Sequence, residues 1–262
     1  MPDKSIIRWC GFQSLLPILW LLAMLNPAGP MAFAAEGVPR IFLAGDSTVA
    51  SYSQKDYPQA GWGQMLPLMF TNTVVIKNYA AGGTTTRSFV EAGHWKKICD
   101  QLQPGDYVFI QFGHNDQYAQ GARFVDLETY RHNLATLVGD VRRARAVPVL
   151  VVPPNSGDFE GSKVLDLHKQ YAVAVRQVAV ATGAGCVDLQ ARSMALFERL
   201  GREETLKSIF MWFPAGDYPN YPVGKKDTWH FSENGAKRIA ELVAEELQSQ
   251  HSPLASYLLQ KP

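Results

Sequence analysis

A serine stands where an apolar run breaks off: Ile41, Phe42, Leu43 and Ala44 are followed by Gly45, Asp46 and Ser47. Other polar clusters follow later runs: Gly82 and Gly83, then Gly113-His114-Asn115-Asp116, and finally Asp227-Thr228-Trp229-His230 ahead of the last amphipathic stretch. A hydroxyl, an imidazole with a nearby carboxylate, an amide and bare backbone are what hydrolysis by an activated serine needs. On that reading Ser47 is the nucleophile, unreactive alone because its hydroxyl stays protonated at neutral pH. His230 takes that proton and later returns it to the leaving alcohol. Asp227 holds the imidazole in the useful tautomer, and the backbone N–H of Ser47, a backbone N–H at Gly83 and the side-chain amide of Asn115 receive the oxyanion.

Each residue alone has a plainer use. A serine after a strand can turn the chain or cap a helix, glycine pairs and asparagines make tight turns, and Asp227 with His230 could cap the final helix. That helix start is better marked by Ser232 and Glu233. The inference therefore rests on the joint pattern. His114 is the rival base; beside Asn115 it is assigned to substrate contact or to fixing its loop, and Asp46 to bracing the turn. His94, His132 and His168 fall in helical text as surface or packing residues. Trp62, Trp95, Trp229, Tyr52 and Tyr57 lie in or near the polar loops, where aromatic faces can stack on sugars. Packing suits Trp62 and Trp95 equally, whereas Trp229, between Asp227 and His230, is the best sugar contact. No G-x-S-x-G elbow occurs, which argues against an α/β-hydrolase lipase.

The elements that must position these residues are legible as alternation. Apolar runs at 40–44, 73–79, 107–112, 147–152 and 185–189 read as strands, three of them apolar on both faces as in a parallel sheet. Segments 62–70, 94–102, 127–146, 163–183 and 235–250 carry helical spacing, with Leu127, Leu134, Leu137, Val138 and Val141 forming one stripe and Gly183 a stop. The expectation is a three-layer α/β/α domain with helices on both faces and the ligand at the carboxyl ends of the strands.

The 262 residues are 47% hydrophobic with a net charge of +1, an ordinary globular composition without a nucleic-acid-binding patch. Lys4 and Arg8, the apolar stretch Leu15 to Leu25 and Ala32-Phe33-Ala34 describe a signal peptide over 1–34, leaving one domain over 35–262. Its removal would take two of the 25 basic and one of the 24 acidic side chains, so the expected product is a near-neutral exported chain, periplasmic or extracellular, without a membrane segment; an uncleaved anchor is the alternative reading of residues 1–34. Cys10 would leave with the signal peptide; Cys99 and Cys186 are expected as buried free thiols, and no spacing suggests a metal.

GDS after the first strand, the glycine five residues beyond Asn78, GHND after the third strand and Asp227-x-x-His230 together resemble the SGNH (GDSL-type) hydrolases. The fuller strings AGDSTVASY, GWGQ, PGDYVFIQ, IQFGHNDQ and DTWHFSENGA are similar to the rhamnogalacturonan acetylesterase branch, over about Ile41 to Ala240. The resemblance implies a flavodoxin-like five-stranded parallel sheet of order 2-1-3-4-5. It also implies the roles of Ser47, Gly83, Asn115, Asp227 and His230 given above, and removal of acetyl groups from pectic polysaccharide or oligosaccharide without a cofactor. Two departures bear on the substrate: Gly83 is followed by Thr84-Thr85-Thr86-Arg87-Ser88 instead of an immediate arginine, and PPNSGDFEGSK after the fourth strand lacks an arginine pair. Another O-acetylated glycan such as xylan, a short lipid ester, or a non-catalytic carbohydrate-binding role on the same fold stay open as alternatives. Nothing in the text speaks to oligomeric state.

Overall fold

The computed structural model describes residues 38–118 and 121–260; the expected signal peptide lies outside them. In chain order the elements are β1 (Arg40–Gly45), α1 (Trp62–Met65), β2 (Val75–Asn78), α2 (Ser88–Glu91), α3 (His94–Cys99), β3 (Tyr107–Gln111), α4 (Leu127–Arg143) and β4 (Val147–Val152). There follow β5 (Phe159–Glu160), β6 (Lys163–Val164), α5 (Lys169–Thr182), β7 (Gly185–Asp188), α6 (Leu189–Leu200), α7 (Arg202–Ile209), β8 (Phe210–Phe213), β9 (Lys225–Phe231) and α8 (Glu233–Ser249). The main sheet is parallel throughout in the order β2-β1-β3-β4-β7. This is the expected α/β/α arrangement, with the chain order reversing beside β1.

Strand periodicity explains the layers. Ile41, Leu43, Phe109, Val149 and Val151 point to one face, against Trp62 of α1 and Ile239 and Val243 of α8. Phe42, Ala44, Val108, Ile110, Leu150 and Val152 point to the other, against Leu134, Leu137 and Val141 of α4 and Val175 of α5. A strand buried on both faces must be apolar at every position, because its backbone is satisfied in the ladder and its side chains are not met by water. Each large aliphatic or aromatic side chain so buried contributes about 1.5–3 kcal/mol. Helix ends follow local chemistry: Asp126 caps α4 through the N–H groups of Glu128 and Thr129, Gly183 ends α5 with φ +67°, and the Ser232 hydroxyl accepts from Gly235 to start α8.

Two stretches differ from expectation. The segment 163–183 is not one helix: its first part is β6, the second strand of the β5–β6 hairpin, held by Leu165 N–H on Asp158 O and by Asn155 Nδ2 on Leu165 O, so α5 starts only at Lys169. Residues 189–231, given no internal structure by the sequence beyond a loop before the last helix, form α6, α7 and an antiparallel β8–β9 hairpin. Asp227 and His230 thus lie on a strand, not in a loop.

The turn after β1 is clamped by α1. Gly61 N–H donates to Ala50 O and Trp62 N–H to Thr48 O. A Cβ on Gly61 would come within 2.3 Å of Ala50 O, and one on Gly63 within 2.5 Å of Val49 O. Gly61→Ala is therefore expected to lower stability by about 1–3 kcal/mol through overpacking. Gly139→Ala, on α4 with only the Arg143 guanidinium nearby, should raise it by up to ~1 kcal/mol. Urea midpoints of the two variants check the pair.

Candidate active site

Three loops and one strand meet at the candidate site. The first begins with Asp46, whose Oδ1 accepts from Thr48 N at 2.9 Å and Thr48 Oγ1 at 2.8 Å, while its backbone carbonyl accepts from Val49 and Ala50. This tight turn leaves Ser47 half-exposed at its apex. The second loop is tied to the first: Asn78 Nδ2 donates to Val49 O at 2.7 Å, and Ala81 N and Thr84 Oγ1 donate to Gly45 O. Gly83 has φ +76°, in the left-handed region that glycine occupies without strain. The third loop places Asn115, whose Nδ2 donates to Thr84 O at 2.9 Å and whose Oδ1 accepts from Arg123 Nη1 at 3.2 Å.

The fourth contribution is strand β9. Met211 pairs with Asp227 and Phe210 with Phe231, so Thr228, Trp229 and His230 bulge out of the ladder. A bulge re-aims side chains without losing the flanking pairing. Here it turns the N–H groups of Trp229 and His230 onto Asp227 Oδ1, at 2.9 and 3.0 Å, and brings His230 Nδ1 to 2.8 Å from Asp227 Oδ2. Nδ1 faces a carboxylate and must donate, so in the neutral ring Nε2 is the acceptor. Ser47 Oγ lies 3.1 Å from it. Burial alone would raise the Asp227 carboxyl, but the His230 bond and the two backbone donors outweigh it and hold the group down to about 2. It stays ionised at any working pH.

Around Ser47, donors are uncommitted. The backbone N–H groups of Ser47 and Gly83 meet no acceptor among the described residues, and Asn115 spends one of its two side-chain N–H groups on Thr84. The cavity that Ser47 and Asn115 border, about 540 Å³, is also lined by Thr48, Tyr118, Lys225, Lys226 and Trp229. The arrangement can activate a hydroxyl and receive a developing negative charge.

The remaining expectations sort by burial. His114 borders the cavity, yet it is only 5% exposed and both nitrogens are taken, Nδ1 by Asp46 Oδ2 at 3.2 Å and Nε2 by Pro154 O at 3.1 Å. It offers a ligand no hydrogen bond, which corrects the substrate-contact assignment in favour of loop fixing. Both neighbours are acceptors, so each ring nitrogen is held against one of them. That carboxyl sits below the ordinary value: burial pushes it up, but the His114 charge and the Thr48 bonds prevail.

His168 is buried edge-on to His114 at 4.4 Å, and burial followed by the His114 charge keeps it neutral. Trp229 leans on both, with ring centroids at 6.1 Å from His114 and 5.5 Å from His168, and presents its indole to the cavity. Trp62 and Trp95 are core residues, bonded through Nε1 to Gln111 and Asp140. Tyr52 gives its hydroxyl to Ser47 O at 2.9 Å. Cys99 and Cys186 are free and half-buried, their thiols pushed up by burial, Cys186 to about 11. No group of three or more metal-ligating His, Cys, Asp or Glu side chains occurs among the described residues.

Sequence reasoning missed Arg123, Lys225 and Lys226. Arg123 comes from outside every motif yet binds Asn115, lies over the Tyr118 ring at 5.5 Å and would be the nearest neighbour, at 3.8 Å, of a Cβ on Gly83. A cation thus stands beside Gly83 although none follows it immediately in the chain. The two lysines were visible in the text immediately before Asp227, but nothing local distinguished them from a solvated pair.

A model of the GDSL-like Lipase/Acylhydrolase family matches residues 43–238. The chain is 37% identical over 223 residues to rhamnogalacturonan acetylesterase RhgT of Bacillus subtilis (strain 168), covering 85% of this chain and 95% of that protein. It is 30% identical over 223 residues to the probable rhamnogalacturonan acetylesterase YesY of the same strain, covering 84% and 98%. The crystal structure of YxiM from Bacillus subtilis superposes with a TM-score of 0.70 at 26% identity, over 82% of this chain and 57% of that longer one.

One buried carboxyl sets a pH dependence. Asp116 Oδ1 accepts from Thr86 N and Oγ1 at 2.9 and 2.6 Å, but Oδ2 has no partner among the described residues. Burial raises its carboxyl to about 6 against the opposing Thr86 bonds. The folded state therefore favours the protonated form: this contribution to stability is full below the unfolded value near 4 and is lost as pH climbs through about 6. Relative to Asp116→Asn, the parent protein should lose on the order of 2–3 kcal/mol between pH 4 and 7. Parallel urea-midpoint curves for the two across that range would refute the assignment.

Proposed function

The chain belongs to the GDSL-like lipase/acylhydrolase family, and from that premise we propose that it is an exported carboxylic ester hydrolase that removes acetyl groups from pectic polysaccharide or its oligosaccharides. The observation that carries the reading is the unbroken line from Asp227 Oδ2 through His230 to Ser47 Oγ, beside three donors with capacity to spare. The relatives named rhamnogalacturonan acetylesterase support the substrate class and leave the non-catalytic alternative without support. The basic start, apolar stretch and Ala32-Phe33-Ala34 of residues 1–34 support export to a periplasm or beyond.

The chemistry proceeds in two halves. Ser47 Oγ attacks the acetyl carbonyl carbon as His230 Nε2 takes the hydroxyl proton, and the ionised Asp227 stabilises the resulting imidazolium. The carbonyl oxygen becomes an oxyanion facing Ser47 N, Gly83 N and Asn115 Nδ2. The tetrahedral intermediate collapses, the C–O bond to the sugar breaks, and His230 gives its proton to the departing sugar oxygen. Water then attacks the acetyl-serine, losing a proton to the same imidazole; acetate leaves and Ser47 recovers its hydrogen. Arg123, whose guanidinium can only donate, pins Asn115 Oδ1 and keeps the amide with its N–H side toward the reaction.

Ser47→Ala should abolish acetate release from acetylated rhamnogalacturonan while preserving the thermal transition, because a half-exposed turn hydroxyl packs against little. Asn115→Ala should lower kcat by roughly 10²–10³, the typical cost of one oxyanion donor, with a small change in KM. A loss confined to KM would remove Asn115 from the oxyanion site, and acetate release by Ser47→Ala would end the mechanism.

A further inference from the structure

We propose that a second groove, adjoining the catalytic cavity at Lys226, binds the sugars flanking the acetylated residue, with Lys226 pairing with a uronate carboxylate and Trp212 supplying a stacking face. The inference rests on the acetylesterase reading and specifies what surrounds the ester. The groove, about 820 Å³, runs between α7, the β8–β9 hairpin and the start of α8, and Lys226 borders both it and the catalytic cavity. The catalytic cavity, about 540 Å³, has room for a short stretch of sugars and not for a polymer. A chain substrate entering it must continue somewhere, and the larger neighbouring groove shares a wall with it.

The walls suit carbohydrate. Trp212, Phe213, Tyr218 and Tyr57 line the groove, and three of these rings hold one another: Phe213 meets Tyr218 at 4.6 Å and Tyr57 meets Tyr218 at 5.8 Å, both edge to face. Interlocked rings lose little further entropy on binding, and their faces take the C–H surface of a sugar.

Charge then selects the sugar. Lys225 already lies 3.7 Å from Asp227, whereas Lys226, exposed and 5.9 Å above the Trp212 ring, forms no ion pair among the described residues. The acidic side chains of the groove, Glu203, Asp217 and Glu233, come from α7, the hairpin connection and the start of α8, none of which lines the catalytic cavity. A carboxylate is therefore favoured beside the scissile ester and disfavoured farther along, where Lys207 is the only other cation on the wall. The ligand that fits is an oligosaccharide in which a uronate is followed by a neutral sugar.

Calorimetric titration of the Ser47→Ala protein with deacetylated rhamnogalacturonan oligosaccharide, and in parallel with neutral xylo-oligosaccharide, tests this. The acidic ligand should bind more tightly, and less so as salt rises. Lys226→Met should weaken the acidic ligand at least tenfold, abolish its salt dependence and spare the neutral one; Lys226→Arg should keep most of the affinity, and Trp212→Ala should weaken both. Equal affinity of the two ligands, no measurable binding, or indifference to both substitutions overturns the proposal. Acetate release by the unsubstituted enzyme is measured alongside. Binding through Lys226 without release from the acetylated polymer refutes the acetylesterase reading and leaves the groove standing, and release with binding indifferent to Lys226 and Trp212 does the reverse.

Discussion

The site depends on one buried chain of hydrogen bonds whose direction is dictated at both ends. Trp62 Nε1 can only donate, and it donates to Gln111 Oε1 at 2.7 Å; the Gln111 amide nitrogen must then donate, to Thr48 Oγ1 at 2.7 Å; the Thr48 hydroxyl passes its hydrogen to Asp46 Oδ1. From the other side Pro154 O can only accept, and His114 bridges it to Asp46 Oδ2. Asp46 is where the two directions meet, and only an acceptor at both oxygens can stand there. Every member from Trp62 to His114 is buried, so a reversed or missing bond would leave a polar atom unpaired at a cost of about 1–3 kcal/mol.

That chain stitches α1, β3 and the loops after β1, β3 and β4 into one body. The turn bearing Ser47 gains its rigidity from below, leaving its own hydroxyl free of structural duty. The same economy holds for Asn115, whose oxygen is occupied by Arg123 and one hydrogen by Thr84, so a single N–H is left to face the cavity. On the proposed mechanism, positioning is done by groups that do not react, and the reacting groups are left with spare valences. This is how preorganised donors avoid reorganisation when charge develops.

The imidazole arrives by a separate route. The β8–β9 hairpin is not part of the main sheet, and it is anchored to the rest by Gly157 N–H on Thr228 O, Ser232 N–H on Ile209 O and the Gln59–Ser232 bridge. Its bulge folds three residues around the Asp227 carboxylate, which makes the carboxylate–imidazole pair a unit held within one short stretch of chain. The hairpin's outer face, with Trp212 and Lys226, then extends the site away from the reacting carbon.

Much of this was legible in the amino-acid order. The parallel strands announced themselves because a strand buried on both faces must be apolar throughout, and α4, α5 and α8 because their stripes and end residues satisfy local rules. Ser47, Asn115, Asp227 and His230 stood out because their chemistry is short-range in the text: a turn after a strand, or two residues three apart. Beyond its reach were the β8–β9 hairpin, whose strands pair across a long connection, the engagement of both His114 nitrogens, and the placing of Arg123 and Lys226. Those features arise from contacts between residues distant in sequence, where a side chain's partner is set by packing of whole elements and carries no local signature. The sequence determined which groups could react; the tertiary structure alone decided which of them are left unsatisfied, and an unsatisfied group is what a substrate can meet.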